Sequence, residues 1–429
     1  MIRKNGLRRS SPLLSLWSRK DSAVKRNPVS GSRLCLLLIL LAWIVTDRPA
    51  VAQDVKDFIE IRSPRTLSAE KIPCQRIPLG EPEDYKPTIV LMPDGELVLS
   101  MFTGRRLENG KIAEQAILYR SADGGLTWSK RELPDIAGRE PALSVTKDGT
   151  LFITAHLLGQ DIRNKDGYTH SYLHRSEDGG RHWTSQRIEP ERFRPRTVSL
   201  LTRNVLQLQD GSLIVGISEH APKSSSVILR STDEGKSWNS YGSSFTNVPA
   251  NYPYTLYGEA HLWQARNGTL YAILRVGAGN SWPLAGTADP GTTDQSERMI
   301  VYSSKDVGRN WIRVQDLGSY GQMYMSILRL GQDRLLLTYT QRDIAPQLGI
   351  RAVPGFETDE GPVFDMKHDR IMVETRSPPG TKSGGGFGPT IQLKDGTLLT
   401  SYTYRAADNK KHAEVVRWRL PAFKAAGSQ

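Results

Sequence analysis

Ser121-Ala122-Asp123-Gly124-Gly125-Leu126-Thr127-Trp128 is the first of four stretches with the pattern Ser-x-Asp-x-Gly-x-x-Trp. Ser and Asp side chains bond nearby backbone groups and stabilise a tight turn, and Gly accepts a positive φ. The Trp three residues later can fold back as an apolar cover over that turn. Four copies at near-regular spacing predict an internal repeat. The other three copies are Ser176–Trp183, Ser231–Trp238 and Ser304–Trp311.

A second repeat runs out of phase with the first and consists of two apolar runs joined by a short polar turn. An Asp-Gly or Asn-Gly pair between alternating apolar runs is a strong hairpin signal. Copies about sixty residues apart predict one four-stranded blade each, hence an all-β, six-bladed β-propeller. A β-sandwich is the alternative. The turns are Asp94-Gly95, Asp148-Gly149, Asp210-Gly211, Asn267-Gly268, Gln332-Asp333 and Asp395-Gly396.

The two repeats together predict how each blade is built. The inner pair of strands meets at the second type of turn, and the outer pair meets at the Ser-x-Asp-x-Gly-x-x-Trp turn. The fifth and sixth blades lack the latter turn, and we expect their outer strands near Phe364–Val373 and His412–Arg419. The turn aspartates lie away from the axis where inner strands converge, so we assign them architecture rather than chemistry.

The N-terminus has the order of a secretory signal peptide. A basic stretch from Arg3 to Arg33 precedes the apolar run Leu34–Val45, and Ala50-Val51-Ala52 has the form of a cleavage site. We expect residues 1–52 to be removed and residues 53–429 to form one propeller in the periplasm or outside the cell. An uncleaved anchor and a misassigned start codon are the alternatives. Only Cys74 would remain, so an intrachain disulfide is impossible.

Charge and motifs exclude several classes of protein. Residues 1–52 hold ten Lys/Arg and two Asp/Glu, so +8 of the formal net charge of +12 lies there and only +4 remains. This mild excess gives little reason to propose nucleic acid binding. The sequence has no zinc-ligand spacing, phosphate loop or Ser-His-Asp order. We expect a monomer without a cofactor and without a membrane span after cleavage; a structural Ca²⁺ stays open.

The four turns resemble the Asp boxes, or BNR repeats, of sialidases and related propellers. The resemblance extends to Glu259 in Gly258-Glu259-Ala260 and to Arg275, which follows the Asn267-Gly268 turn. Tyr324 opens the fifth blade. Arg298 precedes Ser304–Trp311, the Asp box of the fourth blade. The resemblance implies that Tyr324 is a nucleophile activated by Glu259. It also implies that Arg275 and Arg298 are two of three arginines that clamp a substrate carboxylate.

The implied chemistry is physically coherent. A carboxylate nucleophile would repel an anionic sugar, whereas a phenol is neutral, and sialidases are the Tyr-nucleophile exception among glycosidases. Guanidinium groups bind a carboxylate bidentately and keep their charge. An isolated Tyr in a strand usually packs, and an isolated Arg usually faces solvent. The joint occurrence in family order favours the functional interpretation.

Two positions depart from the family pattern. Sialidases begin the first blade with Arg-Ile-Pro, where this chain has Tyr85-Lys86-Pro87, so Lys86 would supply only a point charge. The family's acid/base Asp has no counterpart in the segment 104–115. Glu108 in that segment, or Glu140 at the second-blade position equivalent to Lys86, is our candidate for the acid/base. Both changes would alter the substrate or abolish catalysis.

Several other polar residues fall in the same inner-strand register. We expect core or surface roles for the strand residues His156 and His261, and Glu219-His220 and Asp343 could face the axis. The predicted function is retaining hydrolysis of an acidic sugar, a sialic acid or another carboxylated residue, within a glycan or glycoconjugate. One alternative is a propeller that only binds glycan or protein. Another is a lyase or different glycosidase that uses His220 or Lys86, because fold alone does not decide activity.

Overall fold

A computed structural model describes residues 57–188, 199–219, 225–241, 256–277, 297–319, 321–342, 348–378 and 386–424. Contacts divide the chain into Met1–Gln53 and Asp54–Gln429, and every described residue belongs to the second unit. The signal peptide predicted for residues 1–52 lies outside the described residues. Within the described ranges, no helix has the length and apolar character needed to cross a membrane.

The described residues form 26 β-strands. The strands before the third blade are β1 (Asp57–Arg62), β2 (Lys71–Leu79), β3 (Tyr85–Leu91), β4 (Leu97–Arg106), β5 (Ile112–Ser121), β6 (Arg139–Val145), β7 (Leu151–Leu157), β8 (His170–Ser176) and β9 (Thr184–Ile188). The next nine are β10 (Ser199–Leu201), β11 (Leu206–Gln207), β12 (Leu213–Glu219), β13 (Ser225–Ser231), β14 (Asn239–Tyr241), β15 (Leu256–Gln264), β16 (Leu270–Gly277), β17 (Glu297–Ser304) and β18 (Ile312–Leu317). The last eight are β19 (Gln322–Arg329), β20 (Arg334–Gln341), β21 (Gly349–Thr358), β22 (Gly361–Phe364), β23 (Arg370–Met372), β24 (Gly386–Gln392), β25 (Leu398–Arg405) and β26 (Lys411–Trp418).

Four antiparallel sheets follow one another along the chain as blades of a propeller. They are β3-β4-β5, β6-β7-β8-β9, β10-β12-β13-β14 with β11 also on β12, and β15-β16-β17-β18. The remaining strands make one ten-stranded sheet in the order β19-β20-β21-β23-β1-β2-β26-β25-β24, with β22 on β21. The all-β propeller predicted from the repeats is confirmed. Its strands are grouped as four blades and one large sheet rather than as six separate sheets.

Apolar residues between consecutive sheets form the core. One buried cluster joins the first blade to the second, and others join the second to the third and the third to the fourth. A further cluster joins the fourth blade to β19–β21. The cluster that contains Leu97, Leu99, Leu399 and Val415 joins β24–β26 back to the first blade. The packing therefore runs in a closed circle, which gives every sheet two covered faces.

The Asp boxes fold as the sequence predicts. In the first copy, the Asp123 carboxylate accepts bonds from the backbone N–H groups of Leu126 at 3.0 Å and Thr127 at 2.9 Å. The Gly125 N–H donates to the Ser121 hydroxyl at 2.8 Å, and Gly125 has φ +81°. In the second copy, the Trp183 indole donates to the Gly180 carbonyl at 3.0 Å, which holds the ring over the turn.

The outer strands differ from the prediction in two places. In the first blade, the Asp box is followed by an isolated bridge between Leu118 and Glu132 rather than by a fourth strand. At the C-terminal end, the segment His412–Arg419 corresponds to β26, but its outer neighbour is β2 from the start of the propeller. The Phe364–Val373 region supplies β23, which pairs with both β21 and β1.

Replacing Asp123 by Ala should lower the free energy of unfolding by about 1–2 kcal/mol, because the turn loses its side-chain acceptors. Urea denaturation followed by tryptophan fluorescence measures the change. Asp359→Ala is the control, since Asp359 is an exposed turn residue whose described hydrogen bond is made by its carbonyl. Equal midpoints for the two variants would contradict a stabilising role for the box.

Candidate active site

The innermost strands share a β-bulge, which positions the candidate site. In β3, β6, β15 and β19, two residues of the inner strand lie opposite one residue of the next strand. The first of these two residues is Lys86, Glu140, Glu259 or Tyr324, with φ of +57°, +56°, +47° and +55°. A left-handed conformation costs a residue with a side chain on the order of 1–3 kcal/mol. Strain of this kind concentrates at functional sites.

Two further inner strands, β24 and the inner strand of the third blade, vary this arrangement. In β24 the bulge falls at Gly388, with φ +58°, so that strand contributes no side chain at the equivalent position. In the third blade the inner strand is interrupted between Leu201 and Leu206, and Arg203 lies in the gap. The Arg203 N–H donates to the Ala260 carbonyl at 2.9 Å, which ties this segment to the next blade.

The four bulge residues and three arginines, Arg203, Arg275 and Arg342, make a continuous network, here called the axial ring. It consists of Lys86, Glu140, Arg203, Glu259, Arg275, Tyr324 and Arg342. The Lys86 ammonium forms an ion pair with Glu140. The Arg203 guanidinium donates to Glu140 at 3.1 Å and to Glu259 at 2.6 Å. Arg275 pairs with the other oxygen of Glu259 and donates to the Tyr324 hydroxyl at 2.5 Å.

Cations surround the Tyr324 ring. The guanidinium carbons of Arg203, Arg342 and Arg275 lie 4.2, 4.6 and 5.1 Å from the ring centroid, and the Lys86 nitrogen lies 5.8 Å from it. The Arg342 guanidinium also donates to the Tyr324 hydroxyl at 3.4 Å. Burial raises the pKa of Tyr324, and Arg275 and Arg342 oppose that rise. The phenol is therefore neutral at rest, with two donors aimed at its oxygen.

The cations keep both carboxylates of the ring ionised. Burial alone would raise the pKa of Glu259, but Arg275 and Arg203 outweigh it and lower the pKa to about 2. Burial acts in the same direction on Glu140, and Lys86 and Arg203 hold its pKa well below its usual value. Burial lowers the pKa of Lys86 to about 8, against the pull of Glu140.

A small cavity lies on the axis beside the ring. Its volume is about 100 Å³, which is room for about three water molecules. Arg203, Glu259 and Tyr324 contribute to its wall, together with Thr88 and Ser326. All inner strands from the first blade to β24 line this space, so the ring lies where the sheets converge.

The structure brings together five of the seven predicted site residues: Tyr324, Glu259, Glu140, Arg275 and Lys86. The other two lie differently. Arg298 forms an ion pair with Asp316 of β18 at 2.7 Å. Glu108 is exposed in the turn between β4 and β5.

The remaining polar candidates lie in the strands or outside the described residues. His156 is buried on β7, and the His261 ring accepts a bond from the Ile327 N–H at 3.3 Å. His220 and Asp343 lie outside the described residues, as does the side chain of Glu219.

Sequence reasoning missed Arg203 and Arg342. Arg203 lies seven residues before Asp210 of its hairpin turn, whereas Lys86 and Glu140 lie eight before theirs. Counting back from each turn with a tolerance of one residue would have found it. Arg342 follows directly after β20 and carries no motif of its own. Its place on the axial ring follows from where β20 ends in the fold, which the sequence pattern does not indicate.

Among the described residues, no group of three or more His, Cys, Asp or Glu side chains is arranged to hold a metal ion. The ring instead combines four cations, two carboxylates and one phenol. Such a set can bind an anion through guanidinium groups and can stabilise a phenolate. It places a potential nucleophile within hydrogen-bond reach of two charged donors.

Comparison with known proteins gives a family and several related folds. The profile of the BNR repeat-like domain matches residues 81–319. A protein of unknown function from Dyadobacter fermentans has a TM-score of 0.60 and 20% identity, over 85% of this chain and 98% of its own. The intramolecular trans-sialidase of Ruminococcus gnavus has a TM-score of 0.56 and 15% identity, over 78% of this chain and 94% of its own.

A third similar structure is the NanB sialidase of Streptococcus pneumoniae, in its K499G mutant. Its TM-score is 0.58 and its identity 13%, over 81% of this chain and 70% of its own. The comparison with curated proteins gave no match. At these identities the structural likeness concerns the fold.

Replacing Arg203 by Met should destabilise the protein by about 3–5 kcal/mol, because two buried carboxylates lose a shared cation. Adding Glu140→Gln should recover part of that loss. Arg187→Met is the control, since the Arg187 side chain is 40% exposed and should contribute at most about 0.5 kcal/mol. Urea denaturation of the wild type and the three variants gives the four free energies of unfolding. A cost for Arg203→Met no larger than the control's would refute the compensating role of Arg203.

Stability should decrease as the pH falls from about 6.5 to 4, owing to buried histidines. Burial lowers the pKa of His156, His174 and His261 to about 4 from 6.5, so the unfolded chain binds protons in this window before the folded chain does. Each histidine contributes up to about 1.4 kcal/mol per pH unit. His174→Gln should flatten the curve, as measured by urea midpoints at each pH. An unchanged slope would show that His174 is accessible to protons in the fold.

Proposed function

This chain belongs to the BNR repeat-like domain family, and on that basis we propose that it is a sialidase-type retaining glycoside hydrolase for an acidic sugar. The observation that carries the proposal is Tyr324 on the axis of the propeller, enclosed by cations and connected through Arg275 to Glu259. Similar folds with known activity include a sialidase and an intramolecular trans-sialidase. A sialic acid or another carboxylated sugar carries the negative charge that the cations of the axial ring would bind.

The propeller has six blades in this proposal. The ten-stranded sheet would then be two blades that share an edge through β1, one built on β19–β21 and the other on β24–β26. The recurring bulge supports this count, because β19 and β24 each carry one, as do β3, β6 and β15. The interrupted inner strand at Arg203 supplies the sixth axial position.

The carboxylate of the sugar would bind to the cations of the ring. Four cationic side chains and two carboxylates occupy the described ring, which leaves a positive excess for an anionic ligand. Arg275 keeps its predicted role in the clamp. Arg203 and Arg342 lie against the same phenol and can supply further guanidinium groups. Arg298, the second predicted clamp residue, would have to exchange its partner Asp316 for the ligand.

Tyr324 would act as the nucleophile and Glu259 as its base. A neutral phenol can approach an anionic sugar without charge repulsion. As the phenol oxygen attacks the anomeric carbon, the hydrogen bonds from Arg275 and Arg342 stabilise the developing negative charge. Glu259, which shares Arg275 with the phenol, is the carboxylate that would accept the phenolic proton.

The acid/base residue is the open part of this mechanism. Glu140 lies on the ring, but Lys86 and Arg203 hold its pKa well below its usual value. A carboxylate stabilised in this way serves better as an ion-pair partner than as a proton donor. Glu108 is exposed in the turn between β4 and β5.

A second candidate function is binding of an acidic glycan without catalysis. The observation that favours it is the ionised state of both ring carboxylates, Glu140 and Glu259, because a glycosidase needs a proton donor for the leaving group. The cations would then hold the sugar carboxylate, and the phenol would only pack against the ring of the sugar.

The cellular setting is proposed from the sequence. Removal of residues 1–52 would deliver the propeller as an exported monomer that meets its glycan in the periplasm or outside the cell. The charge distribution supports this assignment, since ten of the Lys/Arg residues precede the cleavage site.

Tyr324→Phe should reduce turnover by about 1,000-fold or more, because it removes the attacking oxygen and little else. The assay is release of 4-methylumbelliferone from its N-acetylneuraminic acid and glucuronic acid glycosides by the purified protein. Tyr172→Phe, the same change on half-buried β8, is the control. If neither glycoside is turned over but N-acetylneuraminic acid still binds in calorimetry, the binding function replaces the hydrolase. Full activity of Tyr324→Phe would reject Tyr324 as nucleophile.

A further inference from the structure

The axial ring has no side chain on one of its sides. The inner strand β24 carries its bulge at Gly388, where the inner strands beside it carry Lys86 and Tyr324. β24 packs against both β3 and β19, so Gly388 lies between those two residues on the axis. The axial ring is therefore open toward the place where β24–β26 meet the first blade, here called the junction.

The topology shows which ends of the strands lie at the level of the axial ring. The inner strands β3 and β24 begin there, and their neighbours run antiparallel to them. The last residues of β4 and β25 and the first residues of β26 therefore lie at the same end of the junction as the axial ring. The Asp boxes and the Asp-Gly turns lie at the opposite end.

Three cations face one another across this end of the junction. Leu99 of β4 packs with Leu399 of β25 and Val415 of β26 in the cluster that joins the two sheets. Side chains alternate between the two faces of a strand, and these strands pair without a bulge. Residues an even number of positions away consequently lie on the same faces. Near the axial ring, these residues are Arg105, Arg405 and Lys411.

Lys411 is held in place beside the axial ring. Its ammonium lies 3.8 Å from the centroid of the Tyr85 side chain and 3.2 Å from the Glu83 carboxylate. The Lys411 backbone N–H donates to the same carboxylate at 3.0 Å. Tyr85 directly precedes Lys86 in β3, so this ammonium lies against the strand that supplies Lys86 to the axial ring. A side chain fixed in this way loses less entropy when it binds a ligand.

The junction has an excess of positive charge. Arg405 donates to a neutral group, the Asn409 carbonyl, at 2.6 Å. Arg105 is exposed and bonds none of the described residues. Glu83 balances one of the three cations through its pair with Lys411, which leaves the other two for a ligand. The remaining carboxylates of the two hairpins lie in their turns, each close in sequence to a lysine: Glu108 with Lys111, and Asp408 with Lys410.

We propose that the junction is a second anion-binding subsite, which takes a carboxylate or sulfate on the sugar next to the one held by the axial ring. The inference rests on the proposed function, in which the axial ring binds an acidic sugar. A ligand can extend from the axial ring to the junction over Gly388, where no side chain intervenes. Guanidinium groups bind the oxygens of such anions bidentately. The substrate class is then a glycan with acidic groups on two adjacent residues.

The test compares ligands that differ by one anionic group. Sialyllactose carries one carboxylate and a neutral extension, whereas sialyllactose sulfated on its galactose and the dimer of N-acetylneuraminic acid carry a second anion. Isothermal titration calorimetry of the Tyr324→Phe variant measures binding without turnover. We expect both doubly charged ligands to bind about 10–100-fold more tightly than sialyllactose, because each gains charge-assisted hydrogen bonds. The tighter of the two identifies the preferred anion as carboxylate or sulfate.

Substitutions in the junction should remove this preference. Arg105→Gln combined with Arg405→Gln should make the three affinities alike and leave the affinity for sialyllactose unchanged, since neither residue belongs to the axial ring. Arg105→Gln alone should remove part of the preference without a change in the urea midpoint, because Arg105 is exposed and bonds no described residue. Arg419→Gln is the matched control: Arg419 follows β26 at the opposite end, is 61% exposed and pairs with Asp395 at 2.7 Å.

Binding of sialyllactose with no preference for a second anion would overturn the subsite alone, as would a preference that survives the double variant. A short single-stranded DNA that binds as tightly as the sialic acid dimer, and loses that affinity in the double variant, would make the junction a nucleic acid surface and overturn the glycan assignment. If sialyllactose does not bind and neither umbelliferyl glycoside is turned over, the function of the axial ring fails and the subsite fails with it.

Discussion

A left-handed β-bulge at the start of the innermost strands is the constraint on which the site depends. In a regular strand, side chains alternate between the two faces of the sheet, and both faces here are covered by neighbouring sheets. The bulge places one extra residue in the strand and redirects its side chain. It does so at Lys86, Glu140, Glu259 and Tyr324, at the expense of a strained φ at each. The ion pairs of the ring form among groups already gathered on the axis.

The repeats made the architecture predictable because they are local signals. An Asp box needs only eight consecutive residues, and the hairpin turns need about a dozen. Such patterns identify the strands and their pairing within a blade, and they placed Lys86 and Glu140 at equivalent positions of two blades. Tyr324, Glu259 and Arg275 came from the resemblance to sialidases. Nothing comparable marks the pairing of β2 with β26. Arg76 of β2 bonds the Tyr402 hydroxyl across a separation of 326 residues, and neither residue carries a motif.

The site was predictable in its members and much less so in its electrostatics. Sequence alone suggested Glu140 as an acid, since a glutamate near an axis is a reasonable donor. Its ionised state follows from its ion pairs with Lys86 and Arg203, which no sequence pattern encodes. Arg203 itself was hidden by the interruption of the third inner strand, where the apolar alternation starts only at Val205. Arg298 shows the converse, because its place in the pattern does not reveal its pairing with Asp316.

The pairing of β2 with β26 limits when this part of the fold can form during synthesis. Arg76 and its partner Tyr402 are 326 residues apart in the sequence. At a synthesis rate of roughly 5–20 residues per second, Arg76 is therefore made about 15–65 s before Tyr402. Throughout that interval, β2 lacks the strand that it will join at the end. The polar network of Arg76, with Asp57 and Tyr402, forms only when both ends of the propeller are present. The sheet that joins the two ends of the propeller can therefore form only once β26 has been made.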